Sequence, residues 1–264
     1  MVMDCRPAEV RGTVPIPPHM KFWGIDSGIR HSVGGADYGS VRVGAFIGRR
    51  MMAVHDVQDN ADGMSTSAAA ALLPVESDQR YIAAVPVHTF TAKYESRLPE
   101  TISGADFLRD FVGHGDAVTT VDPDKTYAVR KPTAHPVFEN FRVTTFEQLL
   151  AAPDSDAQLA ALGELMYQSH TSYSLCGLGS SGTDRLVRLV QESNVDGKGP
   201  LFGAKITGGG SGGTVCVLGR DNAEGEAAIR AVVAKYKEAT GHAPVVFSGS
   251  SQGAGRFGVL KLQA

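Results

Sequence analysis

Residues 204–218 read Ala204-Lys205-Ile206-Thr207-Gly208-Gly209-Gly210-Ser211-Gly212-Gly213-Thr214-Val215-Cys216-Val217-Leu218. Two short apolar runs, Ala204–Ile206 and Val215–Leu218, flank five glycines in six positions, which predicts two strands joined by a glycine loop. Downstream, Ile229, Val232, Val233 and Tyr236 recur at i, i+3, i+4 and i+7 and predict an amphipathic helix. Gly241 is placed to end that helix in a left-handed conformation, with Pro244 beyond it. Val245–Phe247 and Val259–Leu262 predict closing strands. Hairpin, helix and strands in this order imply an α+β fold with helices on one face of an antiparallel sheet.

Working toward the N-terminus, Gly177–Gly182 predicts a turn and Thr183 an N-cap for the helix carrying Leu186 to Val190. Leu159, Leu162, Met166 and Tyr173 mark an earlier helix, for which Asp154 or Asp156 is a suitable cap after the break at Pro153. Pro136 suits the first turn of another helix, continued by Phe138, Phe141, Phe146 and Leu149. Lys125–Arg130 reads as a strand with Tyr127 and Val129 on one face, and Gly104–Val112 as a short helix. Residues 57–80, rich in Asp, Asn, Gly, Ser and Ala, read as a loop or insertion. From Asp37 to Met52 the spacing of Tyr38, Val41, Ala45 and Met52 predicts a helix, with Arg42, Arg49 and Arg50 mostly off that face. Lys21–Asp26 is aromatic and β-branched and predicts a strand.

The chain has 264 residues, 42% hydrophobic and 20% charged, which excludes a disordered, collagenous or coiled-coil protein. Its net charge of −3, without a basic stripe, argues against a nucleic-acid partner. No apolar run approaches the ~18 residues of a membrane span, and Met1–Pro7 has no signal-peptide character. Three distant cysteines, Cys5, Cys176 and Cys216, form neither a disulfide framework nor a zinc site, so a cytoplasmic setting is expected. The 31 glycines exceed the usual ~7% and cluster, so the backbone turns sharply or approaches something closely at several places.

The pattern G-x-G-x-x-G occurs at Gly177–Gly182, Gly208–Gly213 and Gly253–Gly258. None sits between a strand and a helix as a dinucleotide site requires, and no loop ends in Gly-Lys-Ser or Gly-Lys-Thr. The loop at Gly208–Gly213 exceeds a hairpin's needs. It either brings its backbone to a ligand's phosphate or sugar oxygens or packs closely on a neighbouring element. Arg30-His31-Ser32 reads as active-site furniture or, more simply, as a capped turn. His135 reads as a residue at a helix start and His170 as a satisfied helical side chain. No paired-histidine or carboxylate pattern suggests a metal site.

The segment Ala204–Val215 resembles the third conserved motif of the GHMP small-molecule kinases. Asp26-Ser27-Gly28-Ile29-Arg30-His31-Ser32 followed by Asp37-Tyr38 resembles the galactokinase-like members of that superfamily. Trp23–Tyr38, Thr126–Arg130, Glu139–Val143 and Cys176–Ser180 are similar to plant-type L-arabinokinases, from about Val2 to the C-terminus. The resemblance implies a sugar 1-kinase using ATP and Mg²⁺, with sugar and nucleotide between an N-terminal domain and a ferredoxin-like C-terminal domain. It divides the chain into residues 1–33, the last strands of a truncated N-terminal domain, and residues 34–264, the C-terminal domain.

It implies Tyr38 as a hydrogen-bond partner of a sugar hydroxyl. It places Gly208, Gly209, Gly210, Ser211 and Gly212 near the sugar and the transferred phosphate, and Arg30, His31, Ser32 and Asp37 along the cleft. The family's ATP-cradling loop, its catalytic aspartate and its Mg²⁺ ligands have no counterpart here. Met3-Asp4 only mimics the Met-Asp of the catalytic helix, because Cys5–Val10 matches the strand that follows it. The expectation is therefore the C-terminal half of a kinase, inactive by itself. The alternatives are a non-catalytic sugar-binding or regulatory relative, or one part of a split enzyme.

Overall fold

A computed structural model describes residues 2–5, 9–30, 38–61, 63–75, 81–250, 256 and 258–259. At its centre is the strand β3, Met20–Asp26. It pairs antiparallel along its whole length with β7, Thr214–Arg220, from Met20 opposite Arg220 to Asp26 opposite Thr214. β7 pairs in turn with β6, Leu201–Ile206, through a bulge between Leu201 and Gly203. β8, Val246–Ser248, adds to the other side of β3, so the sheet order is β6-β7-β3-β8. In chain order this is 2-3-1-4 with all pairs antiparallel, the ferredoxin-like arrangement.

The apolar run Val215-Cys216-Val217-Leu218 shows why the sheet is covered on both sides. Val215 and Val217 join Trp23 and Ile25 under α7, Ser181–Glu192, and α8, Ala223–Thr240. Cys216 and Leu218 face the other way with Met20 and Phe22, against α5, Arg130–Leu150, and α6, Asp156–Leu175. The α+β class stands, but the expectation of helices on one face is corrected. A strand that is apolar at consecutive positions needs cover on both faces.

The sheet also corrects the placement of residues 1–33. β3 lies between β7 and β8, inside the C-terminal sheet, so the segment from Met20 belongs with it. Only β1, Val2–Asp4, and β2, Glu9–Gly12, form a separate hairpin. That hairpin is tied to α5 by Arg11 donating to Glu147 at 2.8 Å.

Helix starts depart from the expected caps in an instructive way. Ser155, not Asp154 or Asp156, caps α6 by accepting from the Gln158 N–H. Ser180, not Thr183, caps α7, and Thr183 supplies the reciprocal half of the capping box. In both cases the hydroxyl sits three residues before the free N–H it satisfies. Pro136 lies inside α5 rather than in its first turn, which Pro132 occupies. The ring at Pro136 leaves the Pro132 carbonyl without its intrahelical donor. Gly241 ends α8 at φ 74°, as its position suggests.

A second, helical unit fills the chain between β3 and α6. α1 runs Tyr38–Asp59 and buries Val43, Ile47, Met51 and Val54. That face is rotated from the predicted one, and Arg50 is buried as well. Arg50 is accommodated because it donates to the carbonyls of Ala70, Leu73 and Phe111. Residues 57–80 are not simply a loop. α2, Thr66–Leu72, is capped by Ser65 and buries Ala69 and Ala70 in this core. Small residues read as linker here because a close helix contact also selects alanine.

Helical turns follow at Ile82–Ala84, α3 (Val87–Thr89), Phe90–Tyr94 and Glu95–Arg97. β4, Thr101–Ser103, then pairs with β5, Thr126–Ala128, around α4, Gly104–Phe111. Arg42 makes a two-pronged bond to the buried Asp116, whose carboxyl is held well below the usual range by that guanidinium.

His55, on α1, is pushed down to about 4 by burial, with Arg97 adding to the effect. The unfolded chain protonates this histidine near pH 6.5 and the native chain does not. Its contribution is therefore fully present above pH 6.5 and is lost as pH falls toward 4. We expect stability to fall by about 3 kcal/mol over that window from His55 alone. Urea titrations at pH 7, 5.5 and 4.5 should show the loss, and His55→Gln should flatten its share of the slope. Equal slopes for the two proteins would refute this.

Candidate functional site

The glycine loop divides into two limbs. In the first, Gly208 (φ 67°) and Gly209 are exposed, and a side chain at either would meet nothing within 4 Å. In the second, Gly210 and Gly212 are buried. A methyl on Gly210 would come 2.6 Å from the Leu178 carbonyl oxygen, and one on Gly212 would come 2.5 Å from that of Ile29. The Ser211 N–H donates to the Leu178 carbonyl at 2.6 Å and the Gly213 N–H to that of Ile29 at 2.9 Å. The close-packing reading holds for Gly210 and Gly212, while Gly208 and Gly209 present bare backbone to open space.

The segment after β3 secures the packed limb. The Ser27 N–H and hydroxyl both donate to the Gly213 carbonyl, at 2.9 and 2.6 Å. The buried Tyr236 hydroxyl, on α8, donates to the Ser27 carbonyl at 2.8 Å. Asp26 accepts from the Gly28 N–H at 3.2 Å and faces His242 at 3.7 Å. Arg30 follows Ile29 and is exposed beside this limb. His31, Ser32 and Asp37 lie outside the described residues.

The open limb is bordered by α6. Tyr173, near the end of α6, donates its hydroxyl to the Gly208 carbonyl at 3.0 Å. Its ring meets His135 edge-on at 4.9 Å, and the Lys205 ammonium stands 5.6 Å from its centroid. Burial raises the Tyr173 phenol, and Glu139, Tyr38 and Cys176 add to that, so it remains a neutral donor at neutral pH. Tyr38 opens α1, is 58% exposed, and lies close enough to Tyr173 to help raise its phenol, which places it on the Tyr173 side of the open glycines. Of the residues singled out in the sequence, the fold brings Tyr38, Arg30 and Gly208–Gly212 to one region. Asp4 is elsewhere, on the β1–β2 hairpin, paired with Arg11 at 3.5 Å.

Beneath the limb lies a half-buried polar cluster whose members come from α5, α6 and β6. Glu139 accepts from Ser169 at 2.6 Å and from Arg142 at 2.7 Å, and Lys205 approaches it at 3.7 Å. Burial alone would raise the Glu139 carboxyl, but Ser169, Lys205 and Arg142 together hold it below its ordinary value. These groups line a cavity of about 320 Å³ whose other walls include Phe22, Phe146, Met166 and Cys216. His135 exchanges a 2.7 Å hydrogen bond with Ser172 from within α5 rather than from its start. His170 pairs through Nε2 with Asp184 at 3.2 Å, but its buried Nδ1 has no hydrogen-bond partner, so the expected satisfied side chain is met on one ring nitrogen only. One signal was available: Lys205 is a lysine inside an otherwise apolar strand, three residues before the loop, and a cation even partly withdrawn from water favours a partner.

Residues 148–238 match the family model described as GHMP kinases C terminal. That segment is similar to the C-terminal domain of the GHMP kinases. Over its whole length the chain is 48% identical to an L-arabinokinase of Arabidopsis thaliana and spans 27% of that protein. The fold is similar to that of Lactococcus lactis galactokinase complexed with galactose, with a TM-score of 0.54 and 18% identity. That match covers 89% of this chain and 46% of the galactokinase. The glycine loop, which lies within the matched segment, joins the second and third strands of the ferredoxin-like sheet.

Among the described residues no group of three or more His, Cys, Asp or Glu side chains is placed to hold a metal ion. The carboxylates nearest the loop, Asp26, Glu139 and Asp184, are engaged by Gly28, by Ser169 and Arg142, and by His170 and Ser174. Among the described residues these carboxylates thus form no ready ligand set for Mg²⁺. The bare N–H groups of the open limb do suit phosphate or sugar oxygens. No helix among the described residues is long and apolar enough to cross a membrane.

Proposed function

We propose that this chain provides the C-terminal domain of an ATP-dependent sugar 1-kinase acting on the anomeric hydroxyl of L-arabinose or galactose. The observation that carries the reading is the open limb: Gly208 and Gly209 offer unobstructed backbone next to the exposed Tyr38, in a domain of the GHMP kinases. Phosphoryl transfer depends mainly on positioning and on stabilising charge, and a backbone free of side chains lets a phosphoryl group approach closely. In this reading Tyr38 bonds a sugar hydroxyl. Gly208, Gly209, Gly210, Ser211 and Gly212 form the wall facing the sugar and the transferred phosphate. Arg30, His31, Ser32 and Asp37 border the cleft.

The chain's own residues supply no catalytic base in this reading. Asp4 is turned to Arg11, and among the described residues the loop-side carboxylates Asp26, Glu139 and Asp184 are all engaged. The base, the loop that cradles ATP and the ligands of Mg²⁺ are then contributed by another part of a longer enzyme. The β1–β2 hairpin, outside the four-stranded sheet, belongs to that part. The free thiols of Cys5, Cys176 and Cys216 suit a reducing, cytoplasmic setting.

A chimera tests this. The chain would replace the matching segment of the Arabidopsis L-arabinokinase, and ATP-dependent phosphorylation of L-arabinose and D-galactose would be measured. The expected result is a folded chimera that phosphorylates L-arabinose, with no turnover by the chain alone. A folded but inactive chimera would contradict the proposal.

A further inference from the structure

The two limbs of the glycine loop are held by different means. The packed limb is fixed by four backbone and serine contacts to Leu178, Ile29 and Ser27. In the open limb a side chain at Gly208 or Gly209 would meet nothing within 4 Å, and the Gly208 carbonyl accepts the Tyr173 hydroxyl at 3.0 Å. A trans peptide is planar, and its N–H points opposite to its C=O. Drawing the Gly208 carbonyl toward α6 therefore turns the Gly209 N–H away from α6, into the open space.

The Tyr173 ring is itself held on two sides. His135 abuts its ring edge-on, Lys205 stands over the ring, and Lys205 is anchored by Glu139. Glu139 is fixed by Ser169 and Arg142, at 2.6 and 2.7 Å. A charge-assisted cluster of this kind, largely out of water, holds its members more firmly than exposed pairs do.

We propose that Tyr173 is a positioning residue, held by the Glu139–Lys205 cluster, that pins the Gly208 carbonyl and so aims the Gly209 N–H at the incoming anionic or hydroxyl oxygen. The proposal rests on the ligand-facing reading of the loop, but the pinning can be measured without any ligand. Tyr173→Phe keeps the ring and its contacts with His135 and Lys205 and removes only the donor.

Backbone ¹⁵N relaxation of the ligand-free chain is the primary readout. The expected result is that the Gly209 order parameter falls from about 0.85 to below about 0.6, while Gly213 stays rigid. The Gly208 carbonyl ¹³C shift should move as its hydrogen bond is lost. Glu139→Gln, which weakens the anchor but keeps the tyrosine, should loosen Gly209 to a smaller degree. If Tyr173→Phe leaves both the Gly209 order parameter and the Gly208 carbonyl shift unchanged, the proposal is overturned. A second arm titrates wild type and Tyr173→Phe with L-arabinose and with ATP–Mg²⁺, following the Gly209 amide. A weakened response in the variant is expected. A loosened Gly209 with an identical ligand response would support the pinning and count instead against the ligand-facing reading.

Discussion

Gly163→Ala is expected to cost the fold about 3 kcal/mol, toward the upper end of what overpacking usually does. Gly163 lies on the face of α6 that meets β6, and a methyl there would overlap the Phe202 carbonyl. The opposing residue is Gly203, where a methyl would strike the Gly163 backbone, so two glycines face each other across this contact. Neither side can yield cheaply. Phe202 and Gly203 lie at the β6 bulge, and moving them disturbs the pairing with β7. Moving α6 away opens the packing of Leu159, Leu162 and Met166 against Phe202 and Leu218.

A loss of this size is a large share of the 5–15 kcal/mol typical of a folded domain. It would appear as a lower urea midpoint with an unchanged m-value. Gly113→Ala is the control. Its methyl would lie 3.7 Å from Val75, an ordinary contact, so the change should stay within about 0.5 kcal/mol. Equal midpoints for the two variants would refute the account of the helix–strand contact.

Gly212→Ala and Gly209→Ala should separate stability from ligand response. Gly212 sits at φ 136°, and its added methyl would press on the Ile29 carbonyl oxygen. Strained backbone of that kind costs about 1–3 kcal/mol before the clash is counted. A total loss near 3 kcal/mol is expected, together with release of the Ile29 and Leu178 contacts. Gly209 meets nothing, and its φ is not in the left-handed region. Alanine there should leave stability within about 1 kcal/mol, yet place a methyl where the ligand approaches and weaken binding about tenfold or more. Thermal unfolding and sugar titration of both variants give the comparison. If Gly209→Ala destabilised the chain as much as Gly212→Ala, the division into a packed and an open limb would be wrong.

Much of the sheet was legible in the chain because its signals are local. The strands at Met20–Asp26 and around the glycine loop, the helix ending at Gly241, and the α+β class all follow from apolar runs and turn residues. The cover on the second face of the sheet did not emerge, although Val215–Leu218 is apolar at every position. Recognising it required knowing that α5 and α6, far away in sequence, return to that face. α2 was hidden because alanines that pack tightly look the same in composition as alanines in a linker. Helix starts were misplaced by a few residues because several Ser, Thr and Asp side chains compete at each start, and only geometry selects the one three residues before the free N–H.

The candidate site divides in the same way. The loop, Tyr38 and Arg30 were visible as residues, and the fold brings them to one region. Tyr173, Glu139, Ser169 and Lys205 were not visible as a group. Glu139 and Arg142 share a helical spacing, but their partners come from α6 and β6, and no local pattern links three elements. Nor could composition show that two of the five glycines in one loop, Gly210 and Gly212, serve packing while Gly208 and Gly209 leave the backbone bare.

The central claim is that Gly208 and Gly209 face a ligand in the domain of a sugar kinase. A ¹H–¹⁵N titration of this chain with L-arabinose, and separately with ATP–Mg²⁺, tests it most directly, with every glycine amide of the loop followed. The account predicts shifts concentrated at Gly208, Gly209 and Gly210 and in the region of Tyr38, diminished by Gly209→Ala. Shifts confined to other parts of the molecule, or loop amides that respond to neither ligand at saturating concentration, would contradict it.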